Sequence, residues 1–203
     1  ERSVREAAMR DIEQRIAGEG RRAHVIPVGG SDAAGAYGHL LAAHEVLAQA
    51  DALGERIGAI VVATATGGTQ AGMLAGLRQA GSDARIEAFA VAKSAAELRP
   101  EVLRLANELA AAEGIVPFAE ADVRIDDGMI GAGYGVPAAA GDAAVALLGA
   151  TEGIVADPVY TGKALAGLLA AIRRGVYAPD EAIVWVHTGG APALFADLPA
   201  TQM

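Results

Sequence analysis

The segment ATATGGTQAG at 63–72 sets two glycines and flanking hydroxyl residues between an apolar run and a helical pattern. Gly67 and Gly68 carry no side chains, so successive backbone N–H groups there can converge on one anion. Thr66 opens this loop and Thr69 adds a hydroxyl donor. Gln70 begins a helix whose N-terminus favours negative charge. The same residues also suit a tight strand-to-helix turn that needs glycine dihedrals and binds nothing. A nucleotide site is poorly supported, because neither Gly-Lys-Ser/Thr nor G-x-G-x-x-G is present.

Three further glycine-bearing loops follow the same punctuation: Gly29–Gly35, Asp157–Gly162 and His187–Gly190. In HTGG, Thr188 could donate or accept one neutral hydrogen bond, or simply cap a helix over APALFADL. His187 could act as a base, although a histidine beside Trp185 is more often structural. Tyr160 stands at a loop tip in DPVYTGK, and Tyr134 lies between glycines in GAGYGVP. These are two of only four tyrosines. Lysine is scarce, with only Lys93 and Lys163 present. Each suits a surface charge, a phosphate contact or an amine nucleophile.

The elements that must position these residues alternate. Helix periodicity spans 2–18, and AHVIPV at 23–28 reads as a short strand. Ser31 or Asp32 is the natural N-cap of a helix running to about Leu53. The apolar run 57–65 has the composition of a central parallel strand. A helix from Thr69 to Ala80, a strand at 84–92 and a helix over 94–114 follow. Pro100 is expected to interrupt that last helix or start its second half. Residues 138–149 and 161–173 are helical, and GIVADPVY and AIVWVHTGG read as strand-then-loop units. The alternation predicts an α/β fold, a mostly parallel sheet with helices on both faces. In such sheets ligands sit beyond the carboxyl ends of the strands, where the four loops fall.

Bulk properties narrow the field. The 203 residues carry a formal net charge of −9, which argues against a nucleic-acid partner. No apolar run reaches the roughly 18 residues of a membrane span. No signal peptide is visible, and a cytoplasmic location is the default expectation. Cysteine is absent, which excludes disulfides, thiolate metal sites and cysteine nucleophiles. No metal site is expected.

Taken together, VIPVGGSDAAGAYG, TATGGTQAG, TEGIVADPVYTGKALAGL and HTGG resemble the D-cysteine desulfhydrase and 1-aminocyclopropane-1-carboxylate deaminase family of tryptophan synthase β-like pyridoxal-phosphate enzymes. The resemblance runs from about 23 to 196. It implies that Thr66, Gly67, Gly68, Thr69 and Gln70 hold the phosphate of pyridoxal 5'-phosphate, and that Thr188 faces the pyridine nitrogen. A neutral hydroxyl there would leave the ring a weaker electron sink than an aspartate would. It further implies that Tyr134 and Tyr160 are the active-site tyrosines, near the substrate carboxylate or leaving group. The deaminase branch follows the second tyrosine with glutamate, whereas this chain has Thr161. That departure favours thiol elimination from D-cysteine or a related sulfur-containing amino acid over cyclopropane ring opening. His39 stands where the family often has tyrosine; it is either a specificity difference or a helix residue without chemical role.

The family's Schiff-base lysine lies in an N-terminal segment that has no counterpart here; neither Lys93 nor Lys163 matches it. The resemblance therefore implies that residues 1–28 are the remainder of a smaller domain and 29–203 the larger cofactor-binding domain. Three outcomes stay open: an incomplete view of a longer enzyme, a split enzyme whose partner chain or oligomer supplies the lysine half, and a lysine-less subunit that binds the cofactor or another phosphate compound without catalysis. Lyase activity is expected only when the lysine half is present.

Overall fold

The computed structural model describes residues 2–190 together with 193 and 194. Helix α1 spans Arg2–Gly18, α2 Ala33–Ala52, α3 Gly68–Gln79, α4 Ala95–Glu113, α5 Ala139–Glu152 and α6 Thr161–Arg173. The strands are β1 (Ile57–Thr64), β2 (Arg85–Ala90), β3 (Arg124–Asp126) and β4 (Ala182–Trp185). They form one sheet in the order β3-β2-β1-β4, and every pairing is parallel.

β1 is the axis of this sheet, and all but one of its eight residues are buried. Ile60 and Val62 pack with α2, α3 and α4, while Ala59, Val61 and Ala63 face α5 and α6. Both faces of the strand are therefore covered, which is why its sequence is continuously apolar rather than alternating. A register irregularity between Ile57 and Ala59 lets Ile57 join the first face although Ala59 joins the second.

From β1 the chain steps outward through β2 to β3, then returns to place β4 on the other side of β1. The direction of winding thus reverses between β1 and β4. Their carboxyl ends flank the crevice where open α/β sheets take their ligands.

Several expectations need correction. Residues 23–28 are not a strand: they run as irregular chain into a 3₁₀ turn at Val28–Gly30, with Ile26 and Val28 exposed. A strand needs a ladder partner, and no strand of the sheet pairs with them. GIVADPVY is not a strand either, because the Asp157 carboxylate accepts from the N–H groups of Val159, Tyr160 and Thr161 and folds the backbone into a turn. Pro100 lies inside a continuous α4. The carbonyl it leaves without a donor belongs to Ala96, an exposed residue. The helix expected over 191–198 lies largely outside the described residues.

α2 and α3 approach at backbone contact. A Cβ at Gly72 would collide with the Ala36 carbonyl and reach within 2.6 Å of the His39 Cβ. Helix propensity alone favours Gly72→Ala by about 1 kcal/mol. Overpacking against a backbone that cannot swing aside costs about 1–3 kcal/mol. We expect packing to win, so Gly72→Ala unfolds at lower urea concentration than the parent; a higher midpoint would show that the helix contact is looser than described.

Candidate active site

The cradle forms where β1 turns into α3. Gly67 has φ +88°, a left-handed conformation that side chains disfavour, and a Cβ there would also press on Val102 at 2.8 Å. The first intrahelical bond runs from Ala71 N–H to the Gly67 carbonyl. Among the described residues no backbone carbonyl accepts from the N–H groups of Gly68, Thr69 or Gln70. Three donors at the positive end of a helix dipole are thus left for an anion.

Hydroxyl groups frame them. Ser31 Oγ donates to Thr66 Oγ1 at 2.6 Å, tying the 29–35 loop to the cradle. Thr69 Oγ1 lies 3.1 Å from His39 Nε2. Gln70 differs from its neighbours, since its buried side chain turns away and donates to the Arg124 carbonyl at 2.9 Å. What Gln70 offers an anion is its backbone N–H. Asp32, not Ser31, caps α2, accepting from Gly35 N–H at 2.8 Å.

A cleft of about 560 Å³ opens beside the cradle. Ser31, Thr66, Lys93 and Glu101 line one side, and Met9, Val25 and Pro27 line another. Lys93 Nζ is paired with the Glu101 carboxylate at 2.7 and 2.9 Å, so its charge is already matched.

The tyrosines hang from the start of α6. Tyr160 precedes its first turn and directs its hydroxyl toward the Ala63 carbonyl, 3.5 Å away at the carboxyl end of β1. Burial, with Tyr134 and the Asp157 carboxylate adding to it, pushes the Tyr160 phenol up to about 12. The group is therefore a protonated donor at neutral pH. Tyr134 is largely exposed on the 127–138 loop. Its place in that loop depends on Lys163, which is fully buried and donates from Nζ to the carbonyls of Ile130 and Gly133 at 2.7 and 2.8 Å. Burial lowers the Lys163 pKa from its ordinary value. This lysine is a structural tether rather than an exposed amine.

Asp157 is the residue that sequence reasoning treated only as a loop boundary. Its buried carboxylate accepts from three backbone N–H groups and from the Thr161 hydroxyl at 2.7 Å. The Gly190 backbone packs directly against it, in a space that admits no side chain. Asp157 thereby joins the loop of Tyr160 to the loop of Thr188. The signal in the sequence was an Asp followed four residues later by Thr at a helix start, a local capping pattern. His187 fixes the last loop: Nε2 lies 2.8 Å from the Val155 carbonyl and Nδ1 accepts from Gly189 N–H at 3.2 Å. Those contacts define the Nε2–H tautomer and give His187 a scaffolding role. Thr188 is exposed just beyond β4. The cradle and Thr188 thus lie beyond the carboxyl ends of the neighbouring strands β1 and β4, with Tyr160 reaching the same end of β1.

A family model described as pyridoxal-phosphate dependent enzyme matches residues 1–189. The D-cysteine desulfhydrase of Salmonella newport (strain SL254) is 41% identical over 191 residues, covering 94% of this chain and 57% of the relative. That of Salmonella paratyphi C (strain RKS4594) is 42% identical over 192 residues, with the same shares. The chain thus spans 57% of the length of these curated relatives. A crystal structure of an ACC deaminase homologue superposes with a TM-score of 0.80 at 31% identity, covering 89% of this chain and 53% of that one. O-ureido-L-serine synthase shares the fold, with a TM-score of 0.53 at 20% identity, covering 81% and 49%.

Two outcomes follow from this geometry. Lys163→Met keeps the bulk but takes the donor from the part-buried carbonyls of Ile130 and Gly133, at about 1 kcal/mol each. It should lower stability by about 2 kcal/mol or more and speed amide exchange in 127–138; unchanged exchange would detach that loop from Lys163. For Tyr160, the folded-state pKa is raised, so the native state holds this proton more tightly than the unfolded chain does. The associated stability is complete below pH 10 and is lost as pH rises toward about 12. Tyrosine ¹³Cζ resonances, assigned through Tyr160→Phe, should show position 160 still protonated where an ordinary phenol has ionised. Titration near 10 would remove the argument for a buried donor.

Proposed function

We propose that this chain, which belongs to the pyridoxal-phosphate dependent enzyme family, forms the cofactor-binding part of a lyase that eliminates sulfide from D-cysteine or a related sulfur-containing amino acid. Family membership indicates pyridoxal phosphate as cofactor. The observation that supports this reading best is the cradle: three N–H donors without backbone partners, and a glycine turn that excludes side chains, at the carboxyl end of a strand whose neighbour β4 leads into Thr188. An anionic ester suits that donor set.

In this reading Gly67 sets the turn and Gly68, Thr69 and Gln70 present their N–H groups to the phosphate, with Thr66 at the rim. Thr188 meets the ring nitrogen with a neutral hydroxyl and adds no counter-charge there. When bound, the cofactor supplies the electron sink for loss of the substrate's α-proton. Tyr160 holds its phenolic proton at the carboxyl end of β1, where it can donate to the substrate carboxylate or the departing sulfur. Tyr134, beside it, closes the substrate side. The balanced reaction takes D-cysteine and water to pyruvate, ammonia and hydrogen sulfide.

Thr161 favours this reaction over 1-aminocyclopropane-1-carboxylate ring opening. It is buried, and its hydroxyl is engaged by Asp157, so it presents no acid to a substrate. The amine that carries the cofactor comes, in this reading, from outside these 203 residues. Lys93 is paired with Glu101 and Lys163 is tied to two carbonyls. A complementary region, on the same polypeptide or a partner chain, supplies it. Residues 1–28 then belong to a smaller domain and 29–203 to the larger one, and the assembly works in the cytoplasm. Among the described residues no helix is long and apolar enough to cross a membrane. The same engaged lysines support a second reading, a non-catalytic cofactor- or phosphate-binding subunit.

Gly68→Asp places a carboxylate in the cradle, and its Cβ would stand 3.1 Å from Ser31 Oγ. We expect at least about a hundredfold loss of pyridoxal phosphate affinity, following the weight of charge-assisted bonds and charge repulsion. Undiminished binding by absorbance titration would reject the cradle. Pyruvate from D-cysteine should appear only when the lysine-bearing region is present, and its formation by these 203 residues alone would overturn the assignment of the missing amine.

A further inference from the structure

His39 lies on α2, outside the glycine loops themselves, yet it touches the cradle. Its Nε2 is 3.1 Å from Thr69 Oγ1, and α2 is held at that height because Gly72 lets its backbone meet α3 at Ala36 and His39. A threonine hydroxyl has one proton to give. If Nε2 accepts that proton, the hydroxyl offers an anion only lone pairs. If Nε2–H donates instead, the threonine proton is released toward the anion. Which state holds is decided by the histidine.

We propose that His39 is a positioning residue of the cradle: by donating from Nε2–H to Thr69 Oγ1 it turns the Thr69 hydroxyl proton toward the bound phosphate. The proposal rests on the reading of the Thr66–Gln70 loop as a phosphate site. Burial lowers the His39 pKa, so the ring carries a single N–H near neutral pH and its tautomer is a real choice. An anion at the α3 N-terminus selects the Nε2–H form, because only that form adds a fourth donor to the three backbone N–H groups. His39 thereby shapes affinity without touching the ligand.

The test uses 4-deoxypyridoxine 5'-phosphate, which lacks the aldehyde and so reports phosphate capture independently of any lysine. Binding to the purified protein is followed by the fluorescence of Trp185, the single tryptophan. His39→Phe should weaken binding about tenfold, the share of one hydrogen bond to a charged group. His39→Gln, whose amide N–H reaches a similar position, should restore it to within about threefold, as expected if the donor rather than the ring is what matters. Thr69→Val should weaken binding as much as His39→Phe, and the double variant should be no worse than either. In wild-type protein, ¹⁵N imidazole spectra should show His39 as Nε2–H in the complex. Wild-type affinity in His39→Phe, failure of His39→Gln to restore binding, additive losses in the double variant, or an Nδ1–H tautomer in the complex would each overturn the proposal. Gly68→Asp separates the two levels of argument. If it abolishes binding while His39→Phe does not weaken it, His39 alone loses its role; if it too binds normally, the cradle itself is wrong.

Discussion

Everything at this site depends on how β1 ends. The strand is buried on both faces and paired on both edges, so neither its direction nor its height can vary. α3 leaves from its carboxyl end after a left-handed turn at Gly67, and the first turn of that helix has nowhere to send its N–H groups except beyond the sheet. The cluster of N–H groups proposed to hold the phosphate is therefore a by-product of a constrained strand-to-helix junction, and the rigidity of the sheet becomes the rigidity of that cluster. Because β4 lies on the opposite side of β1 from β2, the junction sits where the winding of the sheet reverses, the place where open α/β sheets take their ligands.

The other half of the site is built on two buried polar residues. Asp157 gathers three backbone donors and a hydroxyl, and Lys163 gathers two backbone carbonyls from a loop about thirty residues earlier. Buried charges of this kind are tolerated only when hydrogen bonds replace their hydration. Here those bonds fix the loops carrying Tyr160, Thr188 and Tyr134. A lysine in the first turn of α6 runs against the helix dipole. Its use as a tether to loop carbonyls explains why the position is cationic at all.

The parts legible in the sequence were those governed by local chemistry. Continuous apolar character marked 57–65 as a central strand, the glycine pair marked the turn into α3, and Ser31-Asp32 marked the cap of α2. The parts that were not legible depend on partners distant in the chain. Residues 23–28 have strand composition but no ladder to join, and GIVADPVY has strand composition but is bent by its own aspartate. Pro100 should have broken α4, yet the carbonyl it leaves without a donor belongs to an exposed residue, Ala96. Lys163 looked like a candidate amine because nothing in TGKALAG discloses that Ile130 and Gly133 present their carbonyls to it. The Thr69–His39 contact is likewise invisible before α2 and α3 are packed together. The family resemblance was carried by the four loops, and the matches to D-cysteine desulfhydrases and to an ACC deaminase homologue agree with it.

The central claim is that the β1–α3 junction is the phosphate end, and the β4 loop the ring end, of one cofactor site. A crystal structure of the complete protein with pyridoxal phosphate tests it most directly. The account predicts the phosphate within hydrogen-bond distance of the N–H groups of Gly68, Thr69 and Gln70, with the pyridine nitrogen toward Thr188. Phosphate density at any other helix terminus, or a ring whose nitrogen points away from Thr188, would contradict it.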